Sequence, residues 1–499
     1  MRRLIVFTIL VAATCASASS PARAADRCDA GAFVLIRQGD VNGVEWVSTQ
    51  SDAVVHHAVS NQAVTVDGTE TVAADGTSRD LHALSYTTVG ATPKPRPAKS
   101  LPNGTLVWWE YWPSTLQHVV RRAERSGRAH SVIPIVEVTG WQRQSAIVDR
   151  DFGDTWRVRV GVKRYTVVTD RDGCVASATL PDYAVSIVRR TSFDRRAYTL
   201  WPFFTAPPDG AYTAEDVRIP APAGHVLAGT LTLPPRHGAR FPAAVMITGI
   251  SPHDRDEGPG QLRAFRDIAD SLTRAGIAVL RVDDRGVGAS TGDRKTATTL
   301  DEADDVQTEI GWLARRPEID PKRIAVVGHS EGGLISLIVA SRDPRVAAAV
   351  MLAAPGFPGT QIFEYQTRID VERDPNVPVW DREHRIHAIL TEPDDSARDR
   401  WFLRSDPIPY ARGVRVPALL VQGGNDLHVP PASAANLARA MEAGGNRDVT
   451  VSIVPGVSHT LLYDADGTAR GWATLPAWRL PRDLLDTVRD WLVVRLRAR

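Results

Sequence analysis

The stretch RIAVVGHSEGGLISLIVA, residues 323–340, places an apolar run, one serine among glycines, and a second apolar run in eighteen residues. Ile324 to Val327 reads as a buried strand, and the apolar residues from about Gly333 read as a helix. Between them Gly328-His329-Ser330-Glu331-Gly332 has the pattern G-x-S-x-G. A nucleophilic serine needs its hydroxyl lifted clear of its surroundings, beside a base, with backbone N–H groups aimed at the oxyanion that forms. A tight strand-to-helix turn supplies that geometry, and glycines let the strand and helix approach. Ser330 is therefore the candidate nucleophile.

The same pattern occurs in GASTG, residues 288–292, but the DRKTATT that follows begins no apolar helix. Residues 283–292 read as a glycine-rich loop at a strand end, with Ser290 not a nucleophile. GVGASTG is not a dinucleotide-binding loop either, because its third glycine comes one residue late.

A serine in such a turn calls for an acid and then a histidine further along the chain. Asp426 follows the apolar strand of ALLVQGGNDLHVPP, and His459 lies in the loop after the strand of VSIVPGVSHTLL. The first interval has room for a cap and the second for one helix–strand unit. Asp464 and Asp466 follow His459 too closely to serve as the acid. His428 reads as a loop group at the surface, and His329 as a packing or hydrogen-bonding residue inside the turn. For Glu331 the backbone N–H is the functional expectation, its side chain pointing outward or pairing locally.

Around these residues the rhythm is strand and helix in alternation. PAAVMIT, GIAVLRVDD, RIAVVGH, VAAAVMLAA, VPALLVQGG and DVTVSIVPG are nearly continuous apolar runs, as in a parallel sheet covered on both faces. LRAFRDIADSLTRAG, LDEADDVQTEIGWLARR and ASAANLARAMEAGG separate them with apolar residues at helical spacing. Residues 357–413 interrupt the alternation with polar sequence and read as a small helical cap. TAPPDGAY, residues 205–212, marks the boundary of this α/β domain, 213–499. Upstream, residues 25–204 are β-rich: short alternating runs carry Asp-Gly turn signals at Asp67-Gly68 and Asp172-Gly173. The proline-rich residues 90–104 read as a loop, and no repeat of fixed period appears. The aromatics of LVWWEYWP, residues 106–113, are expected to be buried in the sheet or against the α/β domain rather than to stack on a ligand.

The 59 basic and 58 acidic residues of the 499-residue chain leave a formal charge of +1, so no global field favours nucleic acid or an anionic membrane. A small neutral substrate fits better. Residues 1–24 read as a cleavable export signal: Arg2-Arg3, an apolar run too short to span a bilayer, and a small-residue site ending at Ala24. The expected location is periplasmic or secreted, without stable membrane insertion. Removing the signal leaves Cys28 and Cys174, paired or free, in a compartment that permits disulfides. HDRDEG, residues 253–258, lacks full Ca²⁺-loop spacing, and no metal or cofactor is expected. Oligomeric state is not legible.

Taken together, VMITGISPHDRDE, VLRVDDRGVGASTGD, GHSEGG, QGGNDLHVPP and PGVSH resemble the bacterial serine esterases of the α/β-hydrolase superfamily, in the branch close to dienelactone hydrolases and prolyl-oligopeptidase-type catalytic domains. The resemblance runs over residues 213–499. It implies a mostly parallel sheet with Ser330, Asp426 and His459 as a catalytic triad, and it makes the turn at Gly249-Ile250 the first oxyanion loop. The backbone N–H groups of Glu331 and Ile250 would then hold the oxyanion. The activity implied is hydrolysis of a small-molecule carboxylic ester through an acyl-enzyme. A serine peptidase or amidase on the same core is the alternative, with a non-catalytic binding protein behind both, and transfer of the acyl group to an acceptor other than water stays open.

Overall fold

A computed structural model of the chain describes residues 28–497 apart from 29, 51–52, 61, 63, 74–76, 89–93, 96–98, 110–111, 139–140, 199, 236–239, 251, 259–261, 375, 392–395, 469–471 and 473–474. The export segment expected at residues 1–24 lies outside the described residues.

The amino-terminal part is one sheet of β1 (Gly31–Arg37), β2 (Asp40–Gln50), β3 (Ala53–Ser60), β4 (Val64–Val72), β5 (Ser78–Thr88), β6 (Lys94–Pro95), β7 (Lys99–Ser100), β8 (Leu106–Trp108), β9 (His130–Glu137), β10 (Gln142–Arg150), β11 (Thr155–Val160), β12 (Lys163–Thr169), β13 (Val175–Leu180) and β14 (Val185–Arg190). Its order is β6-β5-β4-β3-β2-β1-β14-β13-β12-β11-β10-β9-β8, with β7 on β5. The first and last long strands of the unit, β1 and β14, are thus neighbours at its centre. Helix α1 (Thr115–Ser126) makes the crossover between the parallel pair β8 and β9. The alternation seen in the sequence is an alternation of burial: β12 buries every second residue, so one face packs inward and the other meets solvent. Leu116, Val119, Val120 and Ala123 of α1 fill the inner face against Phe33, Val158, Val167 and Ile187. The ends of the sheet come together around this helix, where the Ser78 N–H donates to the Thr105 carbonyl at 3.0 Å.

One expectation for this unit is corrected. Asp67-Gly68 is not a turn but the middle of β4, at a bulge in its register with β5. The glycine serves packing: a Cβ on Gly68 would sit 2.4 Å from Trp112 Cη2, and Trp112 is fully buried. Asp172-Gly173 does fall in the turn between β12 and β13, where Gly173 has φ 72°. Trp108, Trp109 and Trp112 are all buried in the unit, and Trp112 stacks on His56 with ring centroids 4.2 Å apart. Cys28 and Cys174 form a disulfide across a separation of 146 residues. Closing so long a loop removes denatured-state entropy equivalent to about 5 kcal/mol in the chain-entropy account.

The carboxyl-terminal part is an α/β sheet in the order β15-β16-β18-β17-β19-β20-β21-β22. Its strands are β15 (Thr213–Pro220), β16 (Val226–Leu233), β17 (Phe241–Ile247), β18 (Ala278–Val282), β19 (Ile319–His329), β20 (Val346–Leu352), β21 (Ala418–Gly423) and β22 (Val449–Val454). Only β16 breaks the parallel arrangement, running antiparallel to β15 and β18. The apolar runs of β17 to β21 are continuous because both faces are covered, whereas β22, expected to be covered too, is the edge strand and leaves Val451 and Ile453 exposed. Ala325 and Val327 of β19 pack toward α2 (Ala264–Arg274), while Val326 between them packs toward α3 (Thr299–Ala314) and α4 (Glu331–Arg342). Between β20 and β21 lie α5 (Gly359–Glu372), α6 (Arg382–Thr391), α7 (Ala397–Arg404) and α8 (Ile408–Gly413). Ala411 and Val414 at α8 are buried with α4 and α9 (Ala432–Ala443), so α8 belongs to the core and the cap consists of α5 to α7. The last helix, α10 (Arg482–Arg495), follows a loop that meets the amino-terminal sheet: Arg37 donates to the Arg479 carbonyl, and Asp40 pairs with Arg482.

Candidate active site

A parallel sheet gathers loops at the carboxyl ends of its strands, and the site is built there. Strand β19 runs directly into α4 through Ser330, whose φ of 55° and ψ of −120° lie outside the regions ordinary residues adopt. The helix begins at Glu331, two residues earlier than the sequence suggested, so Ser330 sits at its N-cap. Close packing maintains this turn. A Cβ on Gly328 would meet the Gly332 carbonyl oxygen at 2.0 Å, and one on Gly332 would meet the Ile247 carbonyl oxygen at 2.1 Å. The Ser330 N–H donates to the Leu352 carbonyl of β20 at 2.8 Å, fixing the strained residue to the next strand.

Asp426 follows β21 and His459 follows β22, and the fold brings both to Ser330. His459 Nε2 is 3.0 Å from Ser330 Oγ, and His459 Nδ1 is 2.9 Å from Asp426 Oδ2. Asp426 is fully buried. Its Oδ2 also accepts from Gln422 Nε2, and its Oδ1 accepts from the backbone N–H groups of His428 and Val429 at 2.9 and 2.8 Å. Burial alone would raise its pKa, but the His459 contact and these N–H donors overcome that and lower it. The acid is thus held ionised, with its charge spread over four donors.

The loop after β17 lies against the serine, since a Cβ on Gly249 would be 3.3 Å from Ser330 Cβ. The Gly249 N–H is already bonded to Glu257 Oε1 at 2.7 Å. Ile250 lines the cavity in front of Ser330, and Glu331 provides the first backbone N–H of α4. The cavity holds about 490 Å³ and is walled by Ile250, Pro252, Leu262, Leu461 and Trp472, with His253, His329, His428 and His459 around Ser330. Its apolar wall suits an uncharged carbon chain or ring.

Several site groups were not legible in sequence. His428, read as a surface group, instead stacks on His459 with centroids 5.2 Å apart and an interplanar angle of 20°. Burial and the neighbouring His459 push its pKa down to about 4, so it is neutral at physiological pH. Glu331 does not point outward. Its side chain is buried and accepts from Arg398 Nε of cap helix α7 at 2.9 Å and from Thr299, while Arg398 Nη1 and Nη2 grip Glu302 of α3. Cap helix α5 is tied down nearby: Tyr365 donates to the Asp426 carbonyl at 3.3 Å, and Gln366 to the His428 carbonyl at 3.1 Å. The partners of the cap helices α5 and α7 are 60 or more residues away in the chain, and spacing carries no signal for them. Ser290 is buried, its hydroxyl donating to the Asp283 carbonyl and accepting from the Ala228 N–H. In the HDRDEG segment, Arg255 is paired with Asp283 and Glu257 with His329.

A family model described as serine aminopeptidase, S33, matches residues 260–372. The chain is 26% identical over 281 residues to esterase EstD of Thermotoga maritima, covering 54% of this chain and 65% of the relative. It is also 24% identical over 341 residues to dipeptidyl aminopeptidase BIII of Pseudoxanthomonas mexicana, covering 61% of this chain and 46% of the relative. A third relative is polyketide transferase ATR5 of Stachybotrys chlorohalonatus, 34% identical over 144 residues, 29% of this chain and 45% of the relative. The chain spans less than two thirds of the length of each. Among solved structures it resembles an esterase of Pyrococcus furiosus at 19% identity and a TM-score of 0.41, covering 58% of this chain and 96% of that one.

Proposed function

We propose that this chain, whose carboxyl-terminal domain belongs to the α/β-hydrolase superfamily, is an exported serine carboxylesterase acting on small neutral esters. The observation that carries the reading is the hydrogen-bonded line from Ser330 through His459 to Asp426, at 3.0 and 2.9 Å, in front of an apolar cavity. Ser330 Oγ attacks the ester carbonyl while His459 Nε2 takes its proton. Asp426 fixes the ring tautomer and stabilises the imidazolium. The N–H groups of Glu331 and Ile250 receive the oxyanion. As the tetrahedral adduct collapses, His459 returns the proton to the departing alkoxide, which leaves as the alcohol. Water, deprotonated by the same imidazole, then attacks the acyl-enzyme and frees the acid and Ser330. Export rests on the sequence of residues 1–24 and agrees with the disulfide.

A second reading, peptidase or amidase, is favoured by the family description and by the dipeptidyl aminopeptidase relative. Purified protein assayed on aryl esters of increasing acyl length, beside aminoacyl and peptidyl amides, separates the two. The Ser330→Ala variant is expected to lose about a million-fold in kcat and all labelling by a fluorophosphonate probe. Faster turnover of amides than of esters would reverse the preference between the readings. Full activity in Ser330→Ala would end both.

A further inference from the structure

Behind the triad lies a second histidine–carboxylate pair that the proposed chemistry does not use. His329 precedes Ser330, and its ring lies 4.9 Å from that of His459, centroid to centroid. Its Nε2 is 2.8 Å from the His459 carbonyl oxygen, and its Nδ1 is 3.1 Å from Glu257 Oε1. A carbonyl oxygen can only accept, and so can a carboxylate. A neutral imidazole has one N–H and could satisfy only one of these contacts, whereas an imidazolium satisfies both. Glu257 is buried and its Oε1 also accepts the Gly249 N–H, so the pair reaches from the loop of the base to the oxyanion loop.

We propose that His329 and Glu257 are positioning residues for the esterase reaction: a standing imidazolium–carboxylate pair that holds the His459 loop and the Gly249-Ile250 turn in register and sets the basicity of His459. The inference rests on the esterase reading of Ser330, His459 and Asp426. The titratable groups that face the pair are consistent with it. Asp426 and Glu257 favour the proton on His329, and His253, whose Nε2 is 3.9 Å from Glu257 Oε1, is kept largely neutral by burial. His428 on the far side of His459 is neutral as well, so His329 is the cation next to the base. Arg294 and Asp254 stand beyond His253 with opposite charges. Burial opposes a charge on His329, but Glu257 and the His459 carbonyl outweigh it, and its pKa is raised.

The sign of the effect follows. With His329→Gln the cation goes and Glu257 remains, so protonated His459 is favoured and the acid limb of the kcat/KM profile should move upward by about half a unit to one unit. With Glu257→Gln the counter-charge goes, and the limb should stay or move down. In both variants kcat should fall about 10- to 100-fold with KM changed less than threefold, because aligned oxyanion donors act on the transition state. The test is pH–rate profiles on an aryl ester for wild type, His329→Gln, Glu257→Gln and the double variant. Folding is checked by thermal melting, and histidine-selective ¹⁵N NMR of the wild type at pH 7.5 is expected to show, beside the doubly protonated ring of His56, a second doubly protonated ring that is missing in His329→Gln and retained in His56→Gln. An unmoved acid limb in folded His329→Gln, or a neutral His329 in the spectrum, would overturn the inference while leaving the triad intact. An inactive wild type whose Ser330 takes no fluorophosphonate would overturn the esterase reading and this inference together.

Discussion

Replacing Arg398 with methionine tests how the cap is fastened to the Ser330 turn. Arg398 is 6% exposed, Glu331 1%, and the guanidinium bridges Glu331 and Glu302, which lie 67 and 96 residues from it along the chain. Removing it leaves two carboxylates facing each other in a buried space. The loss of a buried partner of this kind costs roughly 3–5 kcal/mol, more than the apolar packing of methionine recovers. Glu302 is already pushed up to about 7, first by burial and then by Glu331, with Arg398 opposing the shift. A carboxylate whose folded pKa is raised above its unfolded value destabilises the fold as pH rises from about 4.5 through 7. Without Arg398 that shift grows, so the variant should lose more stability at pH 9 than at pH 6. Urea unfolding of the wild type and Arg398→Met at both pH values measures this. Adding Glu302→Gln to Arg398→Met should recover about half of the loss by removing one orphaned charge. A loss below about 1 kcal/mol in Arg398→Met, independent of pH and unrelieved by Glu302→Gln, would refute the account of the bridge.

Three further outcomes follow from the amino-terminal unit. Gly68→Ala should destabilise it by on the order of 2–3 kcal/mol, because the new methyl meets the immovable ring of Trp112; a melting temperature within a degree of wild type would contradict this. Cys28→Ala with Cys174→Ala should lower the unfolding free energy by about 3–5 kcal/mol, read from denaturant midpoints against oxidised wild type. His56 is buried between Glu45 and Glu70. Burial disfavours its charge, but hydrogen bonds to the two carboxylates prevail and raise its pKa to about 9. Its contribution, on the order of 3 kcal/mol, is complete below about pH 6.5 and lost as pH rises through 9, so wild-type stability should fall between pH 7 and 10 more steeply than that of His56→Gln.

What the sequence disclosed and what it hid divide along a physical line. The strands β17 to β21 were visible because a strand buried on both faces must be apolar throughout, as β21 is, while the edge strand β22 is half-exposed and was read from its Val and Ile residues alone. The serine turn was visible because steric demands force glycine at 328 and 332. Asp426 and His459 could be named because chain order and strand ends constrain them. Contacts whose partners are set only by tertiary packing left no trace: Arg398 on Glu331, Glu257 on His329, His428 on His459. Gly68 misled because glycine answers two needs, a turn or a close approach, and the Asp before it suggested the first. Helix α8 was read with the cap because it continues the polar segment before it without a break, although Ala411 within it and Val414 just after it seal the core.

The pairing of β1 with β14 has a consequence in time. As the unit folds, Gly31–Arg37 can zip to Asp40–Gln50 at once, but its other edge has no partner until Val185–Arg190, about 150 residues further along, has docked. Until then an apolar strand offers unpaired amides to any other unfinished chain nearby. Crowding during folding should therefore harm the yield of this protein more than it harms its finished stability.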